Sequence, residues 1–125
     1  MKKIILITML ISALFAQSDC NKENWQEYYN SDGMGRVAQR DMSDCQLQGA
    51  MLQGARLMGA DLTGADLTGA NFTQSRLMGA DLIGANFTGA NFTGAKLIGI
   101  ISGDIRGVPD NLPEDWSLVD GTLIK

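Results

Sequence analysis

Among the residues able to do chemistry, the basic ones keep the strictest spacing. Arg36, Arg56, Arg76 and Lys96 stand twenty residues apart, and Asp41, Asp61 and Asp81 repeat the interval one step later. Cations at a fixed interval suit the holding of an anion rather than turnover. The groups that turnover needs are missing: the chain has no histidine, no nucleophile elbow and no glycine-rich phosphate loop. Its two cysteines, Cys20 and Cys45, do not make a zinc ligand set without further donors. The chain therefore reads as non-enzymatic, with no catalytic, cofactor-binding or metal residue to nominate. Arg36, Arg56, Arg76 and Lys96 form the candidate interaction face.

The elements that must position this ladder are written in an array. Residues 45–99 divide into eleven five-residue units: CQLQG, AMLQG, ARLMG, ADLTG, ADLTG, ANFTQ, SRLMG, ADLIG, ANFTG, ANFTG and AKLIG. A large apolar centre (Leu47, Leu52 and so on to Leu97) recurs every fifth residue. Ala stands two before it except at Cys45 and Ser75, and Gly two after it except at Gln74. A helix advancing about 100° per residue would scatter such centres around its surface. A flat strand would send alternate centres to opposite faces. The chain must therefore turn once per unit, with glycine at the corner, and a fixed period of this kind marks a solenoid. The recurrence of ARLMG, SRLMG and AKLIG at twenty residues adds that four units close one coil.

Units such as ADLTG at 60–64 and ANFTG at 85–89 resemble the pentapeptide-repeat family. The resemblance implies an all-β fold, a right-handed quadrilateral β-helix, with the centre and the small residue facing inward and the other three positions outward. In phase with the array, residues 35–39 and 40–44 read as two degenerate opening units, although Arg40 fits an inward slot poorly. The β-helix is placed at 35–99. Ends of a stack expose core and unpaired backbone and need covering. Residues 17–34 supply an N-terminal cap, with Trp25, Tyr28 and Tyr29 on one face of a short helix over 24–30. Residues 100–125 supply a C-terminal cap, whose Leu112, Pro113, Trp116, Leu118, Gly121 and Leu123 resemble the closing motif that follows arrays in this family, with Trp116 as a lid.

Residues 1–16 are a different kind of segment. Lys2 and Lys3 precede an apolar run from Ile4 to Ala16 that is too short to span a bilayer and suits a cleavable signal peptide, cut after Ala16 or Ser18. The expected location is secreted or periplasmic, without a membrane span after cleavage. Gln17, Ser18 and Asp19 lack the features of a lipid-attachment signal, so no lipid anchor is expected at Cys20. An oxidising compartment permits a disulfide between Cys20 and Cys45. Cys45 also reads as a small core residue, which only the cap could bring to Cys20.

Without Lys2 and Lys3, eight basic residues face fourteen acidic ones. That net charge of about −6 disfavours nucleic acid and anionic membrane as partners. The leading reading is an exported scaffold that offers rigid faces to a protein or glycan partner, with dimerisation through a barrel end as a further use of the fold. The alternative is a DNA mimic that binds a nucleic-acid enzyme such as DNA gyrase, as the resemblance implies for quinolone-resistance members. The export signal, the short barrel and the basic column all count against it.

Overall fold

The computed structural model describes residues 20–28 and 41–125. The expected signal segment, the opening unit at 35–39, Arg36, Arg40 and Tyr29 lie outside them, and the side chain of Tyr28 is likewise not described.

The array folds as a four-sided β-helix. Parallel bridges join Asp41 to Asp61 to Asp81 to Ile101, Gln46 to Asp66 to Asn86 to Arg106, Met51 to Asn71 to Asn91 to Asn111, and Arg56 to Arg76 to Lys96. Every link spans twenty residues, so each unit is one side and four units make a coil. Hydrogen bonds run from coil to coil: the Leu67 amide donates to the Asn86 carbonyl (2.9 Å), Gly69 to Thr88 (2.8 Å), and Asn86 back to Ala65 (2.9 Å).

The corner explains the fifth position of the unit. The amide of each small residue donates to the preceding centre, as Ala70 does to Leu67 at 2.9 Å. The third residue of that four-residue turn has φ near +66°, seen at Gly69. Glycine adopts this conformation without a Cβ penalty. Gln74 occupies the same slot with φ +59° and is the only unit of the array at 45–99 to place a side chain there.

Inside, the centres stack in four columns: Met42, Leu62 and Leu82; Leu47, Leu67 and Phe87; Leu52, Phe72 and Phe92; Leu57, Leu77 and Leu97. All are buried. Phe72 and Phe92 lie face to face at 4.9 Å with an 8° interplanar angle, while Phe87 leans on Phe92 at 4.6 Å. The small residues fill the corners between columns. Ser75 is buried among them, and its Oγ has no hydrogen-bond partner. The slot asks only for smallness, and serine brings a hydroxyl that nothing there satisfies.

The coil outlasts the repeat. The pentapeptide pattern ends at Gly99, yet bridges continue through Ile101, Arg106 and Asn111. Ile105 takes the small slot below Ala85, and its bulk is tolerated because no further coil lies beneath it. Instead its amide donates to the Gly121 carbonyl at 3.0 Å. Gly121 belongs to a hairpin of β1 (Ser117–Val119) and β2 (Thr122–Ile124), turned at Asp120 and Gly121, both at positive φ. Two residues of this kind are the demand of a type I′ turn. Trp116, Leu112 and Leu118 pack against the core, and Leu123 is buried.

At the other end, helix α1 covers Trp25–Tyr28, and residues 29–30 of the span expected over 24–30 lie outside the described residues. Trp25 packs against the core. Before it, Asn21 bridges Gln46, and the Gln46 amide donates to the Cys20 carbonyl at 2.8 Å. Cys20 thus sits on the inward small column above Cys45, and the two are joined as a disulfide with Cα atoms 4.8 Å apart. Asn21 and Gln46 are separated by twenty-five residues, one unit more than any other rung. A strand rung therefore precedes Gly35, within the stretch expected to serve only as a cap.

Candidate functional site

Four outward surfaces follow from four sides. On each, the residue before the centre and the residue after it project from the same side of the coil, so every coil contributes a pair. On the other three sides that pair mostly serves the fold, Gln46 with Gln48 and the exposed Met51 with Gln53 being the departures among residues 41–99. The Asn71 Oδ1 accepts the Thr73 amide at 3.0 Å and the Thr73 hydroxyl at 2.6 Å. Asn91 with Thr93, Asn86 with Thr88 and Asp66 with Thr68 repeat both bonds, and Asp41 makes the same two with Ser43. Asp61 and Asp81 hold the amides of Thr63 and Ile83 at 3.0 Å. These are Asx turns, which brace the corner that follows. The Asp ladder is thus structural at its Oδ1 atoms, and the outward Ser43, Thr63 and Thr68 are among its partners.

Asp66 shows how far such a carboxylate can be engaged. Burial alone would raise its pKa, but the Thr68 hydroxyl and amide, the Gln48 side-chain amide at 2.8 Å and the charge of Arg106 outweigh it and hold it below the usual range. A shallow open depression of about 400 Å³ lies beside it, lined by Asn21, Lys22, Glu23, Gln46 and Gln48. Gln48 is already committed to Gln46 and Asp66, so the depression presents no converging set of free groups. Among the described residues no group of His, Cys, Asp or Glu is placed to hold a metal ion.

The fourth side differs in both columns at once. Before the centres stand Arg56, Arg76 and Lys96, all exposed and bridged in one parallel ladder. After the centres stand Met58, Met78 and Ile98, with Ile98 69% exposed. Neither arginine nor lysine can accept a hydrogen bond, so the Asx turn is given up here in three successive coils. The structure thus brings together three of the four residues expected to form the interaction face, Arg36 being outside the described residues. The apolar column beside them was not foreseen, although Met or Ile follows the centre in each of ARLMG, SRLMG and AKLIG.

The repeat is also recognised by comparison. A profile for pentapeptide repeats matches residues 41–79 and 75–99, in eight copies. The array belongs to the pentapeptide-repeat family. The family's β-helix is right-handed, which supplies the hand of this four-sided coil. Among solved structures, a pentapeptide-repeat protein from the thylakoid lumen of Arabidopsis thaliana is similar at 24% identity over 67% of this chain and 64% of its own, with a TM-score of 0.49. A second, Rfr23 from the cyanobacterium Cyanothece 51142, shares 33% identity over 58% of this chain and 52% of its own, with a TM-score of 0.36. HetL from Nostoc, a pentapeptide-repeat protein involved in heterocyst differentiation regulation, shares 31% identity over 53% and 38%, with a TM-score of 0.29. The chain spans less than two thirds of the length of each. No curated protein matches. Within the pentapeptide-repeat barrel, no helix of the described residues is long and apolar enough to cross a membrane.

Proposed function

We propose that this pentapeptide-repeat protein is a non-enzymatic binding scaffold, exported from the cytoplasm, whose fourth side engages a protein or glycan partner. One observation carries the reading: Arg56, Arg76 and Lys96 replace the Asx residue, and Met58, Met78 and Ile98 replace the threonine, in three coils running. A slot that holds Asp or Asn in seven of the nine units on the other three sides among residues 41–99, and in none of the three on the fourth, is under a demand other than folding. The charge of that side also opposes the net charge of the chain, which favours an acidic partner.

Export rests on Lys2, Lys3 and the apolar run to Ala16, and an oxidising compartment suits the Cys20–Cys45 pair. The hairpin and Trp116 at one end, and Trp25 at the other, serve as caps in this reading. The test is capture from an envelope extract with the wild type and an Arg56→Gln, Arg76→Gln double variant. Salt-sensitive capture lost in the variant supports the assignment, and equal capture by both proteins removes it. Export is checked separately by N-terminal sequencing, which should begin at Gln17 or Asp19. Intact Met1 on cytoplasmic material would reject that part.

A further inference from the structure

We infer that the Cys20–Cys45 bond is a redox latch: it holds residues 20–28 as a lid on the upper end of the array, and its reduction releases that lid while the array beneath stays folded. The inference goes beyond the scaffold reading and rests neither on the partner nor on export.

The latch lies inside the barrel. Cys20 and Cys45 are both fully buried, and they head the inward column that continues through Ala65, Ala85 and Ile105. Their Cα atoms are 4.8 Å apart, the ordinary distance between neighbouring strands. The bond therefore runs along the barrel axis, from one rung to the next.

Apart from this bond the lid is lightly held. Among the described residues a single backbone hydrogen bond crosses from lid to array, from the Gln46 amide to the Cys20 carbonyl at 2.8 Å. The next rung on the same side is joined by three: Leu47 donates to Asp66 at 2.8 Å, Gly49 to Thr68 at 2.8 Å and Asp66 to Cys45 at 2.9 Å. Trp25 adds apolar contact with the core. Within itself the lid is better connected. The Asn21 amide donates to the Asn24 Oδ1 at 2.7 Å, the Glu23 amide to the Asn21 Oδ1 at 2.8 Å and the Asn24 amide to the Asn21 carbonyl at 3.2 Å. A segment bonded more to itself than to its support opens as a unit, below the cost of global unfolding.

The array does not need the bond. Cys45 fills a slot where Ala is the rule, and a free thiol there is a small, largely apolar side chain. Its amide donates to the Met42 carbonyl at 3.2 Å and its carbonyl accepts the Asp66 amide, both within the array and independent of the sulfur. Departure of the lid has a local consequence instead. The depression beside Asp66 has Asn21, Lys22 and Glu23 on one wall and Gln46 and Gln48 on the other, so it exists only while the latch is closed.

Closing is a thiol–disulfide exchange, in which Cys20 and Cys45 give up two protons and two electrons and a partner disulfide becomes two thiols. Opening is the reverse, with a dithiol as reductant. Because both sulfurs are buried, a reductant reaches them only as the lid lifts, so variants lacking the bond serve beside chemical reduction.

The experiment is hydrogen exchange of the full chain, oxidised, reduced with dithiothreitol, and as Cys20→Ala and Cys45→Ala. Residues 20–28 and the Gln46 amide should exchange at least about tenfold faster in the reduced protein and in both variants than in the oxidised wild type. The Leu67, Gly69 and Asn86 amides should stay as protected as before. Chymotrypsin should cut after Trp25 in the same three samples and spare the oxidised protein. Wild-type protection of the lid in Cys45→Ala would overturn the latch, because the rung and Trp25 would then hold the lid unaided. Faster exchange at Leu67, Gly69 and Asn86 on reduction, or failure of Cys45→Ala to fold, would overturn it the other way and make the bond a staple of the whole barrel.

Discussion

The fourth side of the barrel and its three neighbours share a backbone, a core and a hydrogen-bond ladder, and they differ in what their outward residues are asked to do. On the three neighbours, Asx and Thr or Ser turn inward on their own strand: Asn71 holds Thr73, Asn86 holds Thr88, Asp66 holds Thr68. Little of their polarity is left for a ligand. On the fourth, Arg56, Arg76 and Lys96 give the corner no acceptor, and the corner beneath Arg76 holds the buried, unpartnered hydroxyl of Ser75. Solenoids of identical geometry can thus devote a surface to their own stability or to display. The chemistry of two slots per unit decides which.

The separation can be attacked from the inside. Ala85 lies between Ala65 and Ile105 in a fully buried column, and Ala85→Leu should cost about 1–3 kcal/mol by overpacking, measured by denaturant unfolding. A change below 0.5 kcal/mol there would mean that the column is not the tight corner described. On a bracing side, Asn71→Ala removes two hydrogen bonds and should cost about 1–2 kcal/mol. If it proved as silent as a change on the fourth side, the contrast between the sides would collapse.

Ser75→Ala works in the opposite direction. It removes an unpaired buried hydroxyl from the small slot and should stabilise by about 1 kcal/mol, seen as a raised thermal midpoint. Acid probes the bracing more gently. Asp66 has a lowered pKa in the fold, so its contribution is present above the ordinary carboxylate range and is lost as pH falls through the depressed value. Below about pH 4 the wild type should lose stability more steeply than Asp66→Asn, which keeps an Oδ1 acceptor for Thr68. Parallel acid curves would show that Asp66 contributes nothing through its charge. Smallest of all, Arg56→Gln with Arg76→Gln should leave unfolding within about 0.5 kcal/mol, because exposed charges add little.

How much of this could be read before the structure depends on what kind of repetition recorded it. The corner glycines, the inward columns and the four-sided coil are legible because packing imposes them on nearly every unit; Phe72 over Phe92 follows from the interval of twenty alone. The Asx turns left a signal too, in Thr two residues after Asp or Asn in ADLTG and ANFTG, but both are polar and outward, which is also how a solvated surface reads. The continuation from Ile101 to Asn111 is hidden because Ile105 stands where Ala is the rule, and a bottom coil does not enforce smallness. The hairpin is announced by Asp120 and Gly121 between two apolar triplets, a local turn signal that the closing-motif resemblance overshadowed. The rung of Asn21 on Gln46 has no such trace, since its offset of twenty-five breaks the interval that revealed the others.

The four-sided coil has a consequence for how such a protein can change over generations. One unit is one quarter turn, so inserting or deleting five residues swings everything downstream onto the next side and breaks the line of cations. Gain or loss of twenty leaves every side facing the same way and alters only the number of rungs. The heritable module of the fourth side is therefore four units long, and ARLMG, SRLMG and AKLIG, recurring at intervals of twenty residues, are the pattern that duplication by whole coils would leave. Lengthening this protein by one such module would add one cation to the line, whereas a single unit would add one rung to one side only and move every downstream unit off its own.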